Sequence, residues 1–245
     1  MSIARKFSYA LAVAAVAALP FGAQAAKNSV NIAMTLEPPG LDPRANASAA
    51  IGQIALYNIY ENLTRINQDA TVSPMLAKSW AISDDGLVYT FNLVQGVKFH
   101  DGTDFTSADV KYTFEANAAE GSKIKRKKRF VNMAKIETPD AHTVRITLKK
   151  ARPMFVFWMG ESTAVIVGEE SAATNATKPV GTGPFKFVSW TKGDSVVMEK
   201  NAGHRNAGSV KLSKVIYRFI NDPAAQIAAM MSGDLDLIPF ARASA

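Results

Sequence analysis

The sequence predicts an α/β fold in which strands and helices alternate along the chain. Residues 215–220 (VIYRFI) have the composition of a strand, a helical stretch follows to about Ser232, and 235–238 (LDLI) begins another strand. This strand–helix–strand order is typical of a βαβ unit, so a parallel pairing is expected there. Residues 87–93 (LVYTFNL) alternate apolar and polar side chains and predict a further strand.

The N-terminus predicts a cleaved secretory signal. Arg5 and Lys6 precede an apolar run over 9–19, and Ala23-Gln24-Ala25 supplies a small-residue cleavage site. A membrane-spanning helix needs about 20 apolar residues, which this run does not reach. We therefore expect residues 1–25 to be a signal peptide and the mature protein to be exported.

Composition restricts the chemistry that is open to the mature chain. The sequence has no cysteine, which excludes disulfides, thiolate metal sites and a lipid anchor on a cysteine after the signal. Without the two signal-peptide charges, 26 basic and 21 acidic residues leave a balance of +5. An exported protein meets little nucleic acid, so no nucleic-acid partner is expected, and the charge favours solubility and weak attraction to anionic surfaces.

The first half of the mature chain begins with a predicted strand at 29–34, followed by a stiff connection with three prolines at 37–43. A helix is expected from about Ala49 to Leu63, since apolar residues recur on one face. Thr106 and Asp109 have the spacing of a capping box that opens a further helix.

The second half continues the mixed pattern. Asp222-Pro223 predicts a helix start and Gly233 its end. The remaining strands are predicted at 142–148, 184–190, 195–199 and 215–220.

Several segments carry a resemblance to a known family. Residues 72–80 read VSPMLAKSW, and 84–115 read DDGLVYTFNLVQGVKFHDGTDFTSADVKYTFE. Further matches lie at 136–140 (IETPD), 179–185 (PVGTGPF) and 232–236 (SGDLD). In this order the segments resemble the solute-binding proteins of family 5, which serve ABC transporters.

The resemblance implies a type II-like periplasmic binding protein fold. Residues 26–60 resemble the start of lobe one, 61–190 an extra α+β subdomain, and 191–245 the return to lobe one. Family members are about twice as long, so lobe one is expected to be incomplete, the second lobe absent, and the chain a partial one.

The resemblance also implies where a ligand binds. Residues after the first strand and at the front of the first helix face the cleft, and this suggests six ligand-binding positions: Thr35, Leu36, Glu37, Ser48, Gln53 and Tyr57. The alternative at each position is a rigid loop or helix that only packs within lobe one.

The sequence offers no candidate for catalysis, a metal site or a cofactor. His100, His142 and His204 are far apart, with no ligand or catalytic spacing. The segment Gly181-Thr182-Gly183 lacks the third glycine and the following helix of a phosphate-binding loop, which favours a tight structural turn.

Three functional hypotheses remain open. The first is a monomeric periplasmic protein, not an enzyme, that captures a small peptide and delivers it to an ABC transporter permease in the inner membrane. The second is the same fold with a nickel chelate, haem or an oligosaccharide as ligand. The third is a basic exported protein that binds anionic lipid or polymer through the run at 123–129 (KIKRKKR), although a solvated loop is the favoured interpretation of that run.

Overall fold

The computed structural model describes residues 27–46 and 48–239. The predicted signal peptide lies outside the described residues, and its removal stays a prediction. In the part of the chain that the structure describes, no helix has the length and apolar character needed to cross a membrane.

The described residues form ten strands and five α-helices. In chain order these are β1 (Ser29–Met34), α1 (Ala49–Ala55), β2 (Thr64–Ile66), β3 (Val72–Pro74), β4 (Ala77–Ile82), β5 (Val88–Leu93), α2 (Ser107–Ala118), α3 (Lys128–Val131), β6 (Met133–Asp140), β7 (Thr143–Leu148), α4 (Phe155–Trp158), β8 (Phe185–Thr191), β9 (Ser195–Lys200), β10 (Lys214–Phe219) and α5 (Pro223–Ser232).

The first sheet has the strand order β1-β10-β9-β8, with β1 parallel to β10. Helix α5 leads from β10 to Leu237, which forms a parallel bridge with Ile32 on the other side of β1. The strand and helix of the predicted βαβ unit are therefore confirmed, while the strand expected at 235–238 is limited to this one bridge. The helix begins as expected, since the Asp222 carboxylate accepts the Ala225 amide at 2.7 Å, and it ends at Gly233 with φ of 83°.

The second sheet is antiparallel, with the order β4-β5-β7-β6, and α2 packs on it. The predicted capping box is present, because the Thr106 amide donates to Asp109 at 2.8 Å and the Thr106 hydroxyl oxygen accepts the Ala108 amide at 3.3 Å. Phe91 and Phe114 lie fully buried in the core between sheet and helix. The two sheets thus have separate cores.

Strand β8 belongs to the first sheet through its pairing with β9. The sequence places the end of the extra subdomain at 190, whereas this strand already begins at Phe185. The division of the chain at 60 and 190 stays a prediction.

The first helix is shorter than predicted. Helix α1 ends at Ala55 and does not continue to Leu63. Beyond it, the carbonyl oxygens of Asn58 and Ile59 accept amides of the 183–185 segment at 3.0 and 2.9 Å. These long-range hydrogen bonds replace helical ones, so the apolar periodicity over 56–63 reflects burial in a non-helical segment.

Two glycines explain the close approach of these segments. A Cβ atom on Gly181 or Gly183 would overlap the carbonyl groups of Ile59 and Asn58. His100 stabilises the same turn through two hydrogen bonds. Its Nε2–H donates to the Gly183 carbonyl at 2.9 Å, and its Nδ1 accepts the Gly181 amide at 3.3 Å. Residues 181–183 therefore form the structural turn that the sequence favours.

The basic run is not a fully solvated loop. Ile124, within it, and Phe130, just after it, are buried in the second core. Arg126 and Arg129 both bond the Glu161 carboxylate. The expectation of a solvated segment holds for Lys123, Lys125, Arg126 and Lys128, which are exposed, while Ile124 is buried and Arg129 is partly buried against the Glu161 carboxylate.

Candidate functional site

Two neighbouring cavities flank helix α1 near its N-terminal end. Cavity 1 has a volume of about 490 Å³ and lies where β1 ends, and cavity 2 has about 640 Å³ on the opposite side of the helix. Ala49 and Gln53 line both. These two residues, one turn apart on α1, thus border both cavities.

Cavity 1 is built from the end of β1, the start of α1 and the start of α5. Thr35 and Leu36, two of the predicted ligand-binding residues, line it opposite Asn221 and Pro223. Leu36 is 68% exposed, which is high for a large apolar side chain. Among the described residues, no charged side chain lines cavity 1.

The backbone of cavity 1 is open for pairing. Strand β1 ends at Met34, and no hydrogen bond joins the amide or carbonyl of Thr35 or Leu36 to another described residue. An extended peptide can pair with such free backbone groups as an added strand does at a sheet edge. This arrangement recognises a peptide backbone without demanding a particular side chain.

Cavity 2 has a polar and charged lining. Ser48, Gln53 and Tyr57 line it on the α1 side. Ser48 precedes α1, but its hydroxyl does not cap the helix, so the helix does not occupy this group. Lys125 and Arg126 of the basic run line the opposite wall.

The Tyr57 side chain is held in place by two backbone contacts. Its hydroxyl donates to the Gly160 carbonyl at 2.6 Å and accepts the Ile66 amide at 2.9 Å. Burial raises the pKa of the Tyr57 hydroxyl. The Ile66 amide and the nearby Arg65 lower it by less, so the pKa is raised overall. Its backbone is left-handed, with φ of 61°. Tyr57 therefore presents a fixed ring to cavity 2, while its hydroxyl is used within the protein.

Glu37 lies apart from both cavities. One carboxylate oxygen accepts the Trp190 indole N–H at 2.8 Å, and the other accepts the Gly193 amide at 3.1 Å. These bonds tie the proline-rich connection to the β8–β9 turn. Five of the six predicted positions line one or both cavities, and the Glu37 carboxylate is directed elsewhere.

Some cavity-lining residues were not expected from the sequence. They are Asn221, Lys125, Arg126, Glu161 and Thr163. The sequence shows the run of basic residues at 123–129. It does not show that this run lies beside α1, because that position depends on contacts with residue 161. No signal in the sequence links 161–163 to 48–57.

Within the described ranges, no group of three or more His, Asp or Glu side chains has the arrangement of a metal site. The geometry provides backbone hydrogen-bonding groups, the amide side chains of Asn46, Gln53, Asn221 and Gln226, and a basic wall. It is suited to holding a ligand rather than to activating a nucleophile.

The chain has the fold of one half of known solute-binding proteins. The family model for bacterial extracellular solute-binding proteins, family 5, matches residues 71–245. The chain belongs to this family, which confirms the resemblance that the motifs carry, and the mixed α/β architecture matches solved structures of the same kind.

Named relatives and structures agree with this assignment. The glutathione-binding protein GsiB of Pectobacterium atrosepticum is 36% identical over 252 residues, covering 99% of this chain and 48% of that protein. The binding protein AgaA of Agrobacterium tumefaciens, solved with agropinic acid, is 34% identical with a TM-score of 0.80, covering 85% of this chain and 43% of that one. The periplasmic binding protein DppA of Helicobacter pylori, solved with the peptide STSA, is 28% identical with a TM-score of 0.76, covering 84% and 45%. The chain thus spans about half the length of the relatives it matches.

Proposed function

We propose that this chain is the ligand-capturing part of a periplasmic binding protein that delivers small peptides to an ABC transporter permease in the inner membrane. The observation that carries the proposal is the backbone of Thr35 and Leu36, which no other described residue hydrogen-bonds, beside two cavities that share Ala49 and Gln53. A monomer that binds without catalysis fits this arrangement.

Gln53 is the side chain best placed to read a peptide backbone. It lines both cavities, and its amide can donate to a peptide carbonyl and accept from a peptide N–H. Together with the free backbone at 35–36, it supplies donors and acceptors on two sides of an extended ligand. Thr35, Leu36, Ser48 and Tyr57 then form the surrounding walls.

The ligands of similar proteins support a small peptide or amino-acid derivative. The relative from Pectobacterium is named for glutathione, and the Helicobacter protein was solved with a tetrapeptide. The Agrobacterium protein, solved with agropinic acid, favours a second candidate for this chain, a small non-peptide metabolite in the same cavities.

A titration with a defined peptide library tests the proposal. We expect saturable binding of di- to pentapeptides by the purified chain, observed by calorimetry and by amide shifts of residues 35–36 in NMR spectra. Gln53→Ala should weaken this binding by about 2- to 10-fold, the effect of one lost hydrogen bond. Gln68→Ala, an exposed turn variant, is the matched control and should bind as the unmodified chain does.

The absence of saturable binding by any peptide up to millimolar concentration would contradict the proposal. Tighter binding of agropinic acid than of every peptide would favour the metabolite instead. Equal losses in Gln53→Ala and Gln68→Ala would place the ligand away from α1.

A further inference from the structure

The two cavities differ in the charge of the side chains that line them. The charged side chains that line cavity 2 among the described residues are Lys125, Arg126 and Glu161, whereas cavity 1 has none. A ligand that occupies both therefore meets an apolar end and a charged end. The division follows from the chain, since the basic run contributes only to cavity 2.

The charged end is positive. The single carboxylate of Glu161 accepts from Arg126 and, at 2.6 Å, from Arg129, so one negative charge serves two guanidinium groups. Arg129 is further held over the Trp158 ring at 4.3 Å. Lys125 adds another cation, and no ion pair or side-chain hydrogen bond joins it to a described residue. These four side chains carry a net charge of +2.

The basic wall is held in position before any ligand binds. Ile124 is 5% exposed and Phe130 is 1% exposed, which anchors the segment at both ends. The Lys127 ammonium group donates to the Glu120 carbonyl at 2.6 Å and closes the loop. The backbone of the wall is therefore ordered before an anion binds, and the entropy cost that remains is that of ordering the exposed Lys125 side chain.

A buried hydroxyl adds a second observation. Thr163 lines cavity 2, is 7% exposed, and its hydroxyl has no hydrogen-bond partner among the described residues. A buried polar group without a partner is costly and is commonly satisfied by a ligand or water. Thr163 thus adds a hydroxyl donor to the same cavity that Lys125 and Arg126 line.

We propose that cavity 2 binds the carboxylate end of the ligand through Lys125 and Arg126, while an apolar part of the ligand lies in cavity 1. The inference rests on the proposed function, because both concern the same pair of cavities. It adds a direction to the bound ligand and a preference: peptides with a free C-terminal carboxylate are bound and their neutral amides are discriminated against. Charge-assisted hydrogen bonds to a carboxylate supply this preference.

The test compares a peptide acid with its amide on the same chain. Calorimetric titrations use Ala-Ala-Leu and Ala-Ala-Leu-amide at constant ionic strength. We expect the acid to bind about tenfold more tightly, as one charge-assisted hydrogen bond predicts. In Lys125→Met the acid-to-amide ratio should fall about threefold or more. The double variant Lys125→Met/Arg126→Gln should bring the ratio to within about twofold of unity.

Lys123→Met is the matched control, since Lys123 belongs to the same run but does not line cavity 2. It should keep the ratio of the unmodified chain. Removal of Arg126 also removes a Glu161 partner, so a urea midpoint is recorded for each variant. The single Lys125→Met variant keeps the test valid if the double variant does not fold.

The outcomes separate the two proposals. If acid and amide bind equally well, the peptide-binding function stands and the carboxylate site is overturned. If neither binds, the proposed function fails and the inference fails with it. If Lys123→Met lowers the ratio as much as Lys125→Met does, or vesicles of anionic lipid displace the peptide acid, the run acts as a general anionic surface and the assigned site is wrong.

Discussion

Arg205 holds the carboxylate of Glu61 through two hydrogen bonds of 2.7 Å, across 144 positions of sequence. Glu61 is 1% exposed, and the Thr182 hydroxyl donates to the same carboxylate at 3.0 Å. Burial raises the pKa of the Glu61 carboxyl, but the hydrogen bonds and charges of His204 and Arg205 outweigh it, so the pKa is lowered overall. The ion pair thus fastens the segment after α1 to the loop that follows β9.

Arg205→Met should lower the free energy of unfolding by about 3 kcal/mol, because it leaves a buried carboxylate without its cation. The value is at the lower end of the usual range, since the Arg205 side chain is 25% exposed. Urea denaturation followed by circular dichroism measures the effect. Arg218→Met is the control: its pair with Asp194 at 3.3 Å is exposed, and its loss should cost less than about 1 kcal/mol. Similar losses in both variants would contradict a special role for Arg205.

His100 should make the fold sensitive to mild acid. Burial lowers the pKa of the His100 ring from 6.5 to about 4, although the Gly183 carbonyl opposes this. The folded ring therefore stays neutral where the unfolded chain takes up a proton, so stability falls as the pH decreases from about 6.5 towards 4. A urea midpoint series over this range measures the slope.

His100→Gln should reduce the slope between pH 6.5 and 5. The glutamine side chain keeps a donor and an acceptor near 181–183 but does not titrate. Measurements above pH 5 separate this effect from Glu61, whose contribution is present above about pH 4.5 and is lost as the pH falls below it. An unchanged slope in the variant would show that another group is responsible.

Gly183→Ala should prevent the close contact between residues 58–59 and the 181–185 segment. The new methyl group would overlap the carbonyl of Asn58, which is backbone and cannot move aside locally. We expect a loss of more than about 3 kcal/mol, or no soluble folded protein. Gly208→Ala is the matched control, since a methyl group added there would meet nothing within 4 Å. A folded Gly183→Ala chain with an unchanged urea midpoint would refute this role.

Thr106→Ala should cost about 0.5–2 kcal/mol, the usual range for a lost N-cap. The variant removes the oxygen that accepts the Ala108 amide, while the bond from the Thr106 amide to Asp109 remains possible. Thr106→Ser keeps the hydroxyl and should restore most of the stability. Thermal unfolding compares the three chains, and identical midpoints would show that the cap contributes nothing.

Most regular elements were predictable from local pattern. The strand at 143–148 and the helix with its Asp222 cap depend on periodicity and capping chemistry within a few residues. The end of α1 was not predictable in this way. The carbonyls of 58–59 pair with 183–185, and no local rule states which distant segment will claim them.

The candidate site was also predictable only in part from the sequence. The positions of Thr35, Leu36 and Gln53 beside a cavity agree with what the resemblance implies, while their role in binding stays a proposal. The Glu37 carboxylate was expected near the ligand, but Trp190 and Gly193 occupy it.

The sequence by itself determined the family, through motifs of contiguous residues, and the type of most helices and strands, through patterns that span a single turn or strand. Only the tertiary structure decided that the basic run forms one wall of cavity 2, that Glu161 shares its charge between two arginines, and that α1 ends at Ala55. The physical reason is that these features depend on hydrogen bonds and ion pairs between segments 30 to more than 100 residues apart. Such partners are chosen by the packing of the whole chain.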